Sequence, residues 1–104
     1  MYQYTHFMRY LHDYGEEIEI LFSKISGNKK LLHDFLFDLL SPSEYKDLAV
    51  RLQIIRQLAQ GLPHRQIAKN LKVSVATVTR GSRELANKSG GFRQIIDKYY
   101  KTPG

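Results

Sequence analysis

With 104 residues, 42% of them apolar, the chain can build one small domain or a subunit that completes its core by association. It has no cysteine, which excludes disulfides, thiolate zinc sites and cysteine nucleophiles. The formal net charge of +6 is split: residues 1–50 carry five Lys/Arg and eight Asp/Glu, whereas residues 51–104 carry eleven Lys/Arg against only Glu84 and Asp97.

The N-terminal stretch MYQYTHFMRYLHDYGEE lacks the basic start and unbroken apolar run of a signal peptide. No stretch reaches the ~18 apolar residues of a membrane span, so a soluble, cytoplasmic protein with no membrane contact is expected. Helical periodicity dominates, and no run alternates as a strand would. A first helix is predicted over roughly Thr5 to Ile25, with Phe7, Tyr10, Leu11, Tyr14, Ile18, Leu21 and Phe22 at three- and four-residue spacings. Ser26-Gly27-Asn28 breaks it. A second helix, about Lys30 to Leu39, is apolar on several sides (Leu31, Leu32, Phe35, Leu36, Phe37, Leu39, Leu40). So short a helix cannot hide that surface in a small monomer, and burial against a second copy is expected.

The third helix starts at Ser41-Pro42-Ser43-Glu44, which reads as a capping box with Pro42 at the first helical position. Leu48, Leu52, Ile55 and Leu58 or Ala59 form its predicted stripe, and Gly61 ends it in the left-handed position. Pro63 can open the next helix without losing a needed donor. A final helix is predicted from about Phe92 to Tyr100, after Ser89-Gly90-Gly91.

Residues 64–81, HRQIAKNLKVSVATVTRG, fit a helix-turn-helix. Ile67, Leu71, Val73 and Val78 take its buried positions, and Ala68 sits where the two helices cross and a larger side chain would hold them apart. Ser74 N-caps the second helix. The outer face presents Val75, Ala76, Thr79, Arg80 and Arg83, short or hydroxyl side chains for base edges followed by cations for phosphates. Candidate DNA contacts are therefore His64, Arg65, Lys69, Lys72, Ser74, Val75, Ala76, Thr77, Thr79 and Arg83. The basic second half fits a polyanion partner, although many solvated faces are also basic. Two positions depart from the usual pattern. Lys72 replaces the turn glycine, and must either adopt a left-handed conformation or reshape the turn. Gly81 replaces a buried apolar residue. Either it reflects drift or close helix packing, or its missing side chain leaves room for a ligand. In the ligand case, Gly81→Leu should abolish the response while leaving a folded dimer.

The run from Leu40 to Leu85, LSPSEYKDLAVRLQIIRQLAQGLPHRQIAKNLKVSVATVTRGSREL, resembles the centre of the Trp repressor family. The LSP start of the third helix, Arg51 and the ATVTRGS segment at 76–82 are its most telling pieces. The resemblance implies an all-α fold of six helices per subunit in an intertwined homodimer, two reading heads on a palindromic double-stranded operator, and L-tryptophan as corepressor. It further implies that Arg51 and Arg80 flank the indole ring and meet the ligand carboxylate, that Gly81 gives the ring space, and that Thr77 lies beside it. Leu40 and Ser41 match the partner-chain segment near the ligand's ammonium. Guanidinium groups suit both stacking and carboxylate pairing. Arg51 could instead form a surface ion pair with Asp47.

Two features differ from tryptophan-responsive members. Glu84 stands where they have serine, and could pair with the ligand ammonium or bond to Arg80 instead. The segment from Gly61 to Gly81 is one residue shorter, and its GLPHRQIA wording is similar to a subgroup with no established tryptophan response. That subgroup usually lacks a glycine at the position of Gly81. A regulator that ignores tryptophan is thus the alternative. The expected organisation is a single domain, with residues 1–61 mainly dimerisation helices, 62–86 the reading head and 87–104 a C-terminal helix and tail. His6, His12, His33 and His64 show no metal-ligand spacing, and no catalytic motif occurs, so neither an enzyme nor a metal is expected. A helix-turn-helix serving protein contacts only, or belonging to a larger initiator or transposase, is the other competing reading.

Overall fold

The computed structural model describes residues 2–100, with side chains from Thr5 onward, and contains six helices and no strand among those residues. Helix α1 covers residues 2–25. Its stretches Tyr2–Tyr10 and Glu16–Ile25 are joined without a break by a wider π turn, Leu11–Gly15. Helix α2 is Lys29–Leu39, α3 Pro42–Ala59, α4 His64–Leu71 and α5 Val75–Leu85. Helix α6 covers residues 91–100, as Gly91–Ile95 followed by a π turn, Ile96–Tyr100. The chain divides into two compact units, Met1–Pro42 and Ser43–Gly104.

In the first unit, Asn28 ends the break between α1 and α2 by accepting a hydrogen bond from the Leu31 N–H at 3.0 Å. Phe22 and Phe35 meet edge to face with ring centroids 5.7 Å apart, tying α1 to α2. No described residue of this unit is buried in the chain: Phe7, Tyr10, Leu11, Tyr14, Leu31, Phe37 and Leu39 are all exposed. Burying a fully exposed Leu or Phe is worth about 1.5–3 kcal/mol, so the half-exposed Leu and Phe side chains here would each gain roughly half of that on full burial. The unit therefore has large apolar faces and no core of its own.

The second unit holds every buried apolar residue among those described. Helix α3 serves two clusters. Ile54 packs with Ile67, Ala68 and Val78, while its neighbour Ile55 packs with Leu85 and Ile96. Adjacent residues point about 100° apart on a helix, so two clusters on two sides replace the single predicted stripe. Leu48, placed on that stripe by its spacing, is exposed. At the C-terminus of α3, the Gly61 N–H bonds to Leu58 O at 2.9 Å and the Leu62 N–H to Gln57 O at 3.2 Å. This Schellman pair requires a left-handed residue, and Gly61 has φ +83°.

Candidate nucleic-acid interface and ligand cavity

Helices α4 and α5 form the helix-turn-helix. Ile67 and Val78 are fully buried, Ala68 is buried at the crossing, and Leu71 and Val73 pack against them half-buried. Lys72 adopts the left-handed conformation, φ 57° and ψ 46°, so the turn keeps its usual shape at a cost of about 1 kcal/mol. The Val73 N–H then reaches back to Ala68 O at 3.0 Å. Ser74 caps α5: its Oγ accepts from the Thr77 N–H at 3.1 Å and lies 2.8 Å from Thr77 Oγ1. The chain Gln66–Asn70–Gln57 links α4 to α3, with Gln66 donating to Asn70 at 2.7 Å and Asn70 donating to Gln57 at 2.9 Å.

Around this frame, Arg65, Lys69, Lys72, Ser74, Val75, Ala76, Thr77 and Arg83 are exposed. His64 and Thr79 are half-buried, with His64 Nδ1 3.3 Å from Thr79 Oγ1. Val75, Ala76, Thr79 and Arg83 share one side of α5 by helical register.

A second side of α5 faces a cavity of about 530 Å³ within the same unit. Its lining includes Arg51, Ile54, Thr77, Arg80, Gly81 and Glu84, together with Lys46, Asp47, Val50, Lys72 and Phe92. It thus gathers five of the seven expected ligand residues. Leu40 and Ser41 belong to the first unit, where Leu40 is half-buried with an extended backbone and Ser41 is exposed. Arg80 Nε stands 3.8 Å from Glu84 Oε1, one helical turn on, and both side chains are largely exposed. Such a pair contributes about 0–1 kcal/mol and is easily rearranged. No ion pair within 4 Å joins Arg51 to Asp47 among the described residues.

The position of Gly81 has a packing cause. A Cβ built there would lie 2.8 Å from Ile54 Cγ2, 3.6 Å from Ile55 Cδ1 and 3.8 Å from Leu58 Cδ1. Ile54 is 2% exposed and β-branched, so its Cγ2 cannot swing away cheaply. The expectation that Gly81→Leu leaves the fold intact is therefore corrected: the glycine lets α5 approach α3, and it also borders the cavity.

Lys46, Val50, Ile54 and Phe92 were not singled out from the sequence as site residues. Lys46, Val50 and Ile54 sit four residues apart on α3, beside Arg51, and that spacing could have located three of them. Phe92 reaches the cavity through tertiary packing, for which the sequence carries no local signal.

The family model of the Trp repressor protein matches residues 16–100. The chain belongs to the Trp repressor family. Among relatives, the Trp operon repressor homolog of Mannheimia succiniciproducens is 39% identical over 77 residues, covering 73% of this chain and 76% of its own. That of Chlamydia trachomatis serovar D is 42% identical over 71 residues, covering 67% and 76%. That of Vibrio campbellii is 37% identical over 79 residues, covering 74% and 76%. No solved structure gives a significant match. The protein is a transcriptional regulator of this family, with a helix-turn-helix in an all-α fold, and not an enzyme. No helix among the described residues is long and apolar enough to cross a membrane, and none of them form a group of three or more metal-ligating side chains.

Proposed function

We propose that this protein is a cytoplasmic, homodimeric repressor that binds a palindromic double-stranded operator and takes L-tryptophan as corepressor. The carrying observation is the cavity, in which α3 supplies Arg51 and α5 supplies Thr77, Arg80, Gly81 and Glu84. Its volume lies within the range of small-molecule sites, about 300–1,000 Å³. Two guanidinium groups can hold a carboxylate and stack on an indole, the first worth about 1.5–3 kcal/mol and each stacked cation about 0.5–2. With burial of the ring, these contributions suffice for micromolar binding, roughly −8 kcal/mol. On this reading, a ligand lodged beside α5 sets the angle at which the reading head meets DNA. The relatives described as Trp operon repressor homologs support the same assignment.

The homodimer is supported by the first unit, whose aromatic and aliphatic side chains find no burial within one chain. In the dimer, Leu40 and Ser41 would come from the partner subunit toward the ligand's ammonium. Residues 1–61 then serve mainly dimerisation, 62–86 the reading head and 87–104 the C-terminal segment. At the DNA, Val75, Ala76 and Thr79 face base edges, while Arg65, Lys69 and Arg83 meet phosphates, assisted by His64, Lys72, Ser74 and Thr77 at the helix ends.

Calorimetry with L-tryptophan, followed by operator binding with and without it, tests the proposal. Micromolar heat of binding and tighter operator binding are expected. A single 12 kDa species in sedimentation at micromolar concentration would refute the dimer. The Arg80–Glu84 pair inside the cavity favours a second reading, in which Glu84 occupies the arginine and no tryptophan response exists. Operator binding with no tryptophan heat would establish that alternative and leave the repressor role in place.

A further inference from the structure

We propose that His64 fixes the hydrogen-bonding direction of the Thr79 hydroxyl, and with it the kind of base edge that α5 accepts at that position. The inference rests on the base-reading role proposed above for Thr79. His64 opens α4, and Thr79 lies fifteen residues later on α5, yet Nδ1 and Oγ1 are 3.3 Å apart. This contact joins the two helices of the reading head directly, between two half-buried side chains.

A threonine hydroxyl has one hydrogen to donate and two lone pairs. Without a partner it can turn either way, or bond back to its own helix. A neutral imidazole has one nitrogen that donates and one that accepts. If Nδ1 is bare, it accepts the Thr79 hydrogen, and only lone pairs remain for the DNA. Thr79 then suits adenine N6 or cytosine N4, both donors in the major groove. If Nδ1 carries the hydrogen, it donates to Oγ1, and the Thr79 hydrogen turns outward. Thr79 then suits guanine O6 or N7, or thymine O4. With Nδ1 bare, the histidine leaves Thr79 only lone pairs; with Nδ1–H donating, it occupies one lone pair and turns the hydrogen outward, so each tautomer biases the hydroxyl toward a different class of base edge. His64 acts through Thr79 and is a positioning residue for specificity.

The test begins with selection of half-sites from randomised duplex DNA by the full-length protein. Anisotropy titrations of the selected duplex and its single-base variants follow, at one salt concentration. Thr79→Val should identify the base position that the hydroxyl reads. His64→Leu should flatten discrimination at that same position by about three- to tenfold, the worth of one hydrogen bond. His64→Asn, which keeps a polar atom near the place of Nδ1, should give intermediate discrimination. In a Thr79→Val background, His64→Leu should change no base preference. Circular dichroism and thermal midpoints report folding, and should His64→Leu not fold, His64→Asn carries the comparison. A uniform loss across all sequences overturns the proposal, as does a change at a base position that Thr79→Val leaves untouched. Failure of the wild-type protein to select any duplex, both with and without L-tryptophan, overturns the DNA-reading role itself, and this inference with it.

Discussion

Gly81→Ala tests whether the α3–α5 contact is as tight as the geometry states. The added Cβ would meet Ile54 Cγ2 at 2.8 Å, well inside the ~3.5–4.0 Å optimum for two carbons. Ile54 sits in the cluster with Ile67, Ala68 and Val78, so movement by either helix disturbs that core. Overpacking of this kind costs about 1–3 kcal/mol. The same change gains about 1 kcal/mol in helix propensity. The net expectation is destabilisation by about 1 kcal/mol, against a stabilisation of similar size if the glycine were merely tolerated. Ile54→Leu supplies the control, because leucine has no Cγ2 and conserves volume, at a cost below ~1.5 kcal/mol. In that background Gly81→Ala should become neutral or stabilising, a coupling of about 1–2 kcal/mol. Urea denaturation at one fixed protein concentration measures all four proteins, since association also shifts the midpoint. A loss of 1 kcal/mol lowers the midpoint by about 0.5 M at an m-value near 2 kcal/mol/M. A higher midpoint for Gly81→Ala with Ile54 in place would refute the packing argument.

Three further outcomes follow from the site. Glu84 should make wild-type protein bind indole-3-propionate distinctly more weakly than L-tryptophan, because that analogue lacks the ammonium, and Glu84→Gln should narrow the gap in calorimetry; an unchanged gap removes Glu84 from ligand recognition. Lys72→Gly should raise stability by about 0.5–1 kcal/mol in denaturation, because Lys72 holds φ 57° and glycine accepts that conformation freely. Lys69→Ala should weaken binding to all operator variants alike and reduce the salt slope by about one, and a selective loss would move Lys69 from phosphate to base contact.

Much of the reading head was legible because its rules are local. The apolar spacing of Ile67, Leu71, Val73 and Val78, the Ser74 cap and the left-handed Gly61 each follow from residue type and neighbours within a few positions. The helices of the first unit were legible for the same reason, down to the Asn28 break, although the π turns at 11–15 and 96–100 carry no pattern that periodicity reads. What resisted was tertiary. A single stripe was expected on α3, but Ile54 and Ile55 serve different clusters, and only the placement of α6 explains the second. Gly81 had several open readings because a glycine leaves no side chain to follow. Its cause is an Ile54 methyl twenty-seven positions away in sequence. The His64–Thr79 contact is equally invisible in the sequence, since the two residues stand fifteen positions apart on different helices and meet only through the packing of α4 on α5.

The eleven residues of α5 divide cleanly by angle. At about 100° per residue, Val75, Thr79, Arg83 and Ala76 fall within roughly one third of the circumference. Arg80, Glu84, Thr77 and Gly81 fill the next third, facing the cavity, and Val78 and Leu85 fall in the last, facing the core. Under the proposed function the helix thus has a DNA side, a ligand side and a packed side, with little surface to spare. A ligand on one sector cannot touch the side chains of another, so it acts on DNA binding only by moving or steadying the helix as a body. The packed side opposes that movement, through Val78 buried against Ile54 and Ile67 and through the close approach at Gly81. Changes on the cavity side should accordingly alter how strongly a ligand promotes binding without altering which bases are read. Changes at Val75, Thr79 or His64 should do the reverse. Gly81 belongs to both the ligand side and the packed side, and a substitution there should disturb stability and ligand response together.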